Sequence, residues 1–106
     1  MHKAIFMLNR AEDTSMEEFR DHWLDEHAPI AEDVPGLEKY TISFPSEPEA
    51  APYDGVAELY FEDDDALSEG LDSDAMAEAE ADVPNFADPT DVLNMVVEEN
   101  VYVDQT

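Results

Sequence analysis

The sequence contains no cysteine and only 4 lysine and arginine residues, against 29 aspartate and glutamate residues. Without cysteine, a disulfide framework, a thiolate metal site and a cysteine nucleophile are all unavailable, and a reducing, cytoplasmic location fits. The formal net charge of -25 at pH 7 would repel nucleic acid and anionic membrane surfaces. The composition therefore excludes thiol chemistry and argues against nucleic-acid and membrane partners.

Long hydrophobic runs and glycine-rich loops are also missing. The apolar run near the start, Ala4 to Leu8, is too short for the core of a signal peptide or for a membrane span. No glycine-rich phosphate loop, nucleophile elbow or basic aromatic patch is present, which argues against nucleotide chemistry and serine hydrolysis. With 106 residues, the chain is long enough to bury a core and predicts one domain over residues 1–106.

Three explanations compete for the acidic excess. Disorder requires a low apolar content, but here 43% of the residues are hydrophobic and they are sharply patterned. A DNA mimic or acidic partner-binding protein would concentrate its charges on one face or tail, whereas these occur in every segment. Adaptation to concentrated intracellular salt, which screens self-repulsion, fits scattered acidic residues best. The sequence therefore predicts a salt-adapted protein from a salt-loving organism.

Hydrophobic periodicity predicts four strands. Alternating apolar residues indicate strands at 3–8, 40–44, 56–61 and 92–103, the last interrupted by polar residues at 98–100. In the first strand, Ile5 and Met7 lie opposite Phe6, so both faces are apolar. Such a strand belongs in a sheet that is covered on both sides, which a chain of this size with three short helices struggles to provide alone.

Three helical segments separate these strands. Capping-box spacings at Thr14–Glu17 and Ser15–Glu18 open the first helix, and Pro29 is expected to end its regular part near Ala28. Short helices capped by residues 63–65 and by Ser73 follow. The inward stripe of the first helix consists of Met16, Phe19, Trp23, His27 and Ile30. This order of elements predicts an α+β, ferredoxin-like split βαβ fold with an antiparallel four-stranded sheet.

Two of the three histidines and the only tryptophan lie in the first predicted helix. Because His22 and His27 are five residues apart, they lie about 140° apart around an ideal α-helix and are not expected to share a metal. His22 can instead pair with Glu26. His27 lies on the inward stripe near the helix C-terminus, where two roles stay open: a buried helix cap against Trp23, or a general acid or base beside a cavity.

One face of the third predicted strand is apolar except for Glu58. This residue is either a carboxylate directed into a pocket or an outward residue of an edge strand. A His–Glu pair converging from helix and sheet inside a sheltered cavity would support acid–base chemistry. The residues alone leave both interpretations open.

Several motifs together resemble the EthD family. The first is His22-Trp23 followed by residues 27–31 (His-Ala-Pro-Ile-Ala), and the second is Pro35-Gly36-Leu37 with Tyr40. Three further stretches agree, so that the resemblance covers nearly the whole chain: residues 54–61, then Asp82 with Asn85-Phe86 and Asp88, and residues 97–99. EthD-like proteins are similar to the dimeric α+β barrel superfamily, in which two ferredoxin-like sheets pack face to face and each subunit holds a pocket between its sheet and its helices.

The resemblance implies a homodimer that needs no cofactor or metal and binds a small apolar or aromatic ligand. Carried over by position, the catalytic candidates are His27, His22, Glu58 and Asp82. The candidates for ligand contact are Trp23, Tyr40, Tyr60 and Phe86. Where many members place a histidine after the paired glutamates, this chain has Asn100, so the resemblance does not extend to an activity that depends on that third imidazole.

Three functions remain open at this point. The first is a cofactor-independent isomerase, dehydratase or oxygenase acting on a small carbonyl or aromatic compound, with His27 as acid or base and Glu58 or Asp82 orienting it. The second is a non-catalytic binding or accessory protein that sequesters such a compound, which needs the same pocket. The third is a structural acidic interaction protein, which predicts a filled interior without a cavity beside His27.

Overall fold

A computed structural model describes residues 1–106 as a four-stranded antiparallel sheet in the order β2-β3-β1-β4, with its helices packed on one face. The elements, in chain order, are β1 (His2–Arg10), α1 (Met16–His22), a π-helical turn (Trp23–His27), α2 (Ala28–Ala31), β2 (Leu37–Ser43), a 3₁₀ turn (Pro48–Ala50), β3 (Gly55–Phe61), α3 (Asp64–Leu71), α4 (Asp74–Asp82), a second 3₁₀ turn (Val83–Asn85) and β4 (Ala87–Glu98). The predicted α+β ferredoxin-like fold is confirmed. No helix combines the length and the apolar character needed to cross a membrane.

The last strand differs from its predicted bounds. β4 begins at Ala87, which pairs with Arg10 beyond a register shift in the β1–β4 ladder, and it ends at Glu98, so Val101–Val103 lie outside it. Its first residues are mostly polar and include Pro89, and they give no alternating signal. Because β4 is an edge strand, exposed polar residues and a proline are tolerated there.

The main core lies between the helices and one face of the sheet. Its largest fully buried side chains are Trp23, Phe19, Phe61 and Phe86. Gly55, at the start of β3, permits this packing, since a Cβ atom there would lie 2.4 Å from Cζ3 of Trp23. The indole therefore rests against the backbone of β3, a position that only glycine allows without displacement.

The first helix begins where the sequence predicts. The Ser15 hydroxyl accepts a hydrogen bond from the Glu18 amide at 3.1 Å, and the Glu18 carboxylate accepts one from the Ser15 amide at 3.0 Å. This reciprocal capping box satisfies two amides that the helix itself leaves free.

Pro29 predicts that the regular helix ends near Ala28, but the structure differs. The helix changes at Trp23 into a π-helical turn, and helical geometry then continues to Ala31. The Ala28 amide donates to the Trp23 carbonyl, five residues back. A proline inside an α-helix clashes with the carbonyl four residues before it, and the wider π turn relieves that crowding.

The other face of the sheet carries no helix. Cross-strand pairing places Ile5 beside Met95 and Met7 beside Leu93 on this face, where Leu93 is 45% and Met95 51% exposed. We call the patch formed by Ile5, Met7, Leu93 and Met95 the open sheet face. Its apolar character matches the prediction that both sides of the first strand are apolar.

Candidate functional site

A cavity of about 260 Å³ lies between the sheet and the helices. Eleven of its fifteen lining residues are hydrophobic, which suits an apolar ligand held by few polar contacts. His27 lines this cavity, and so do Trp23 and Tyr40. The interior is thus not filled beside His27, contrary to what a purely structural acidic protein predicts.

The lining comes from four parts of the fold. The sheet, through the helix-facing side of β1, β2, β3 and β4, provides Phe6, Leu8, Tyr40, Ala57, Leu59, Pro89, Val92 and Asn94. The π turn and α2 provide Trp23, His27 and Ala31, and α4 with the following 3₁₀ turn provides Met76, Ala79, Glu80 and Val83.

Three side chains converge on the carboxylate of Asp82, the last residue of α4. His27 Nδ1 lies 2.8 Å from Oδ2, and His22 Nε2 lies 3.0 Å from the same oxygen. The Asn85 amide donates to Oδ1 at 2.9 Å. An ionised carboxylate only accepts hydrogen bonds, so His27 donates its Nδ1–H and His22 its Nε2–H. This arrangement leaves Nε2 of His27 as a lone-pair acceptor.

The π turn explains why both histidines reach one carboxylate. The spacing predicts His22 and His27 about 140° apart around an ideal α-helix, and this separation is not found, because both rings reach Asp82. A π-helical turn follows an i to i+5 pattern, which brings residues five apart onto the same side. His22 pairs with Asp82 and not with Glu26. No set of three or more histidine, aspartate or glutamate side chains is arranged to hold a metal ion.

The charges at the site follow from burial and hydrogen bonding. Burial lowers the pKa of His27 below 6.5, although the hydrogen bond and the charge of Asp82 oppose this effect. Partial burial raises the pKa of Asp82, but the hydrogen bonds from Asn85, His22 and His27 outweigh it, so that the pKa falls below its ordinary 3.8. At neutral pH, therefore, an anionic Asp82 holds a neutral His27.

Phe86 fixes the rings of both histidines. It is stacked on His22 with ring centroids 4.8 Å apart and lies at 4.9 Å, tilted, from His27. Phe86 is 1% exposed and contacts these rings from the core, next to Trp23. Phe86, which was expected to contact the ligand, packs against the two histidine rings and does not line the cavity.

Tyr40 provides a second polar group in the cavity. The Trp23 indole N–H donates to the Tyr40 hydroxyl oxygen at 3.0 Å. Burial raises the pKa of Tyr40, against the opposing effect of this hydrogen bond. The hydroxyl therefore keeps its proton at neutral pH.

Glu58 and Tyr60 lie on the opposite face of the sheet from His27. The Lys3 ammonium bridges Glu58 at 3.2 Å and Glu99 at 2.9 Å, and it lies 5.0 Å from the centre of the Tyr60 ring. The Thr41 hydroxyl also donates to Glu58, at 3.2 Å. These contacts give Glu58 structural partners, and Asp82 is the carboxylate that contacts His27.

Two features of the site are not evident from residue types alone. Asn85 orients Asp82, and its spacing of three residues after that aspartate is the available signal for it. The contribution of α4 to the cavity depends on how the helix packs. Asn100 is exposed, lies beyond the end of β4 and does not line the cavity.

Comparison with known proteins identifies the fold and a domain family. A family model described as the EthD domain matches residues 11–90. No protein of curated function matches the sequence.

Solved structures of similar fold cover almost the whole chain. An ethyl tert-butyl ether D (EthD) family protein from Bacillus halodurans superposes with a TM-score of 0.80 at 24% identity, covering 94% of this chain and 99% of its own. A dimeric ferredoxin-like protein of unknown function from Thermobifida fusca gives 0.72 at 12% identity, with 91% and 88% covered. SnoaB, a cofactor-independent oxygenase from Streptomyces nogalater, gives 0.67 at 12% identity, with 92% and 91% covered.

Proposed function

Because this chain belongs to the EthD domain family, we propose that it binds a small carbonyl or aromatic compound in the cavity and that His27 acts on it as a general base without a cofactor. The observation that carries the proposal is the orientation of the His27 ring. Its Nδ1 is held by Asp82 at 2.8 Å, while the ring lines an apolar cavity. Nε2 is thus the ring nitrogen available to a ligand.

The hydrogen-bonding pattern suits proton transfer. A general base needs its acceptor lone pair directed at the substrate and a partner that fixes its tautomer. Asp82 provides that partner and would stabilise the imidazolium that forms when Nε2 takes a proton. The lowered pKa of His27 keeps the base unprotonated at neutral pH. The fold of SnoaB, a cofactor-independent oxygenase, supports this class of chemistry by analogy only.

Binding and catalysis can be separated with a simple ketone, 1-indanone, as the probe. Binding is followed by the fluorescence of Trp23, the only tryptophan, and proton abstraction by the exchange of α-hydrogens for deuterium in heavy water. His27→Gln keeps a polar side chain of similar reach but removes the base. We expect it to bind the ketone and to lose roughly 10²- to 10⁴-fold in exchange rate.

The control is His2→Gln, which removes a histidine at the start of β1, away from the cavity. Exchange that is equally fast in His27→Gln would disprove the role of His27. Binding by the wild type with no exchange in any variant would favour the accessory, ligand-sequestering function, which the apolar lining also supports.

The open sheet face leads us to propose further that two copies pack through it. Leu93 and Met95 are large apolar residues that are about half exposed there, and the similar Thermobifida fusca protein is dimeric. A second copy would cover this surface, as the two-sided apolar pattern of β1 requires. We also propose that the net charge of -25 is an adaptation to high salt.

A further inference from the structure

The hydroxyl of Tyr40 has an unused donor in the cavity. Its oxygen accepts the Trp23 indole N–H at 3.0 Å, and this is the only side-chain hydrogen bond that Tyr40 makes. A tyrosine hydroxyl both accepts and donates, so its own hydrogen remains free. Because Tyr40 lines the cavity, a ligand oxygen is the natural acceptor.

The position of this hydroxyl is fixed by the fold. Tyr40 pairs with Leu59 in the β2–β3 ladder, and Leu59 is buried under the helices, so both side chains point to the helix side. Trp23, which holds the hydroxyl oxygen, is 0% exposed. The hydroxyl is thus held before any ligand enters, which is the requirement for stabilising a developing charge.

His27 and Tyr40 both contact the indole of Trp23. The imidazole of His27 is edge-on to Trp23, with ring centroids 6.4 Å apart, and Tyr40 binds the indole nitrogen. The remaining polar side chains that line the cavity, Glu80 and Asn94, are exposed to solvent. The sheltered part of the cavity therefore offers one acceptor, on His27, and one donor, on Tyr40.

We propose that Tyr40 is a second catalytic residue and that it selects carbonyl compounds with an α-hydrogen, whose oxygen accepts the Tyr40 hydroxyl hydrogen while the α-carbon faces His27 Nε2. The inference rests on the proposed function of His27 and narrows its substrate class. An aromatic hydrocarbon without a carbonyl oxygen would leave the Tyr40 donor without a partner, which disfavours its binding.

The proposed proton abstraction needs no co-reactant. The lone pair of His27 Nε2 takes the α-hydrogen as a proton, and the electrons of the C–H bond form the C=C bond of an enolate. The C=O π electrons move to the oxygen, where the Tyr40 O–H hydrogen bond stabilises the negative charge. The proton held on His27 exchanges with solvent before a hydrogen returns to the enolate. Its return to the α-carbon gives the exchanged ketone, its return to the oxygen gives the enol, and either return regenerates the base.

The test compares 1-indanone with indane, which has the same skeleton without the oxygen. We expect the wild type to prefer the ketone, because indane leaves the Tyr40 donor unpaired. Tyr40→Phe should abolish this preference and slow α-hydrogen exchange by about 10²- to 10³-fold, the usual effect of losing one oxyanion donor. Tyr53→Phe removes a tyrosine hydroxyl outside the cavity and is the matched control.

The outcomes separate the two proposals. Equal binding of ketone and hydrocarbon by the wild type overturns the role of Tyr40, and this measurement does not depend on how stable Tyr40→Phe is. Exchange that is lost in His27→Gln but unchanged in a folded Tyr40→Phe also overturns it, while leaving His27 as the base. A ketone preference that depends on Tyr40, without exchange in the wild type, would contradict the base and retain the donor.

Discussion

His27 should make the stability of the folded protein depend on pH. Burial holds its folded pKa below 6.5, so the unfolded chain binds a proton more readily than the folded one. The free energy of unfolding should therefore fall as the pH drops from about 6.5 towards the folded pKa, with the whole loss in place below it. His27→Gln should lack this decrease, as measured by urea unfolding in molar salt at a series of pH values.

Asp82 also affects the stability of the folded protein, but in a more acidic pH range. Its folded pKa is lowered from 3.8, so its stabilisation is complete above that value and is lost as the pH falls through the folded pKa. The pH ranges in which His27 and Asp82 affect stability can thus be resolved in one pH titration of the free energy of unfolding. His2→Gln should keep the wild-type profile, and an identical profile in His27→Gln would contradict a buried, neutral His27.

Among the structural elements, the π turn determines the site. Pro29 is the second residue after this turn, and replacing it by alanine restores an amide that can donate to the Asp25 carbonyl in a regular α-helix. In Pro29→Ala we expect the turn to shift towards α geometry and the His27 ring to move away from Asp82. Helix content should be kept while α-hydrogen exchange decreases.

Nitrogen NMR of the histidine rings is the direct measurement, because it reports the proton on His27 Nδ1. Pro45→Ala, in the loop after β2, is the control for the general effect of losing a proline. If Pro29→Ala keeps the His27 Nδ1–H signal and full exchange, the π turn does not depend on this proline.

For the whole molecule, neighbouring residues of β4 provide a test of the dimer. Met95 and Val96 are both 51% exposed, but they point to opposite sides of the sheet, since their partners in β1 are Ile5 and Ala4. Met95→Lys would bury a charge in the proposed interface, which should exceed about 1,200 Å² in total. Sedimentation in molar salt should show a dimer for the wild type and Val96→Lys, and a monomer for Met95→Lys. A monomeric wild type would contradict the proposal.

The net charge should make folding depend on salt. The radius of gyration is 14.0 Å, whereas the Debye length is about 30 Å at 0.01 M salt and about 3 Å at 1 M. In dilute buffer nearly every carboxylate therefore repels every other, while in molar salt only close neighbours do. Circular dichroism should show a falling melting temperature during dialysis to low salt. An unchanged melting temperature would exclude salt adaptation as the explanation of the charge.

The sequence by itself determined the order of the elements and, for most of them, which side is buried. Alternation in β1 and β3 predicts which residues are buried, because successive side chains of a strand point to opposite sides. The capping box at Ser15 and the cap at Ser73 depend on local spacing and are found where predicted. Periodicity also places His27 and Trp23 on the inward side of the first helix, whereas Asp82 becomes a candidate only through the resemblance to a family.

Only the tertiary structure decided which of these residues meet. Five-residue spacing separates His22 from His27 in any regular α-helix, and only the π turn and the end of α4 bring both to Asp82. The choice between Glu58 and Asp82 depended on which side of the sheet each carboxylate faces relative to the helices. The free Tyr40 hydrogen likewise depended on the contact with Trp23. Such contacts join residues far apart in the chain, and local preferences do not encode them.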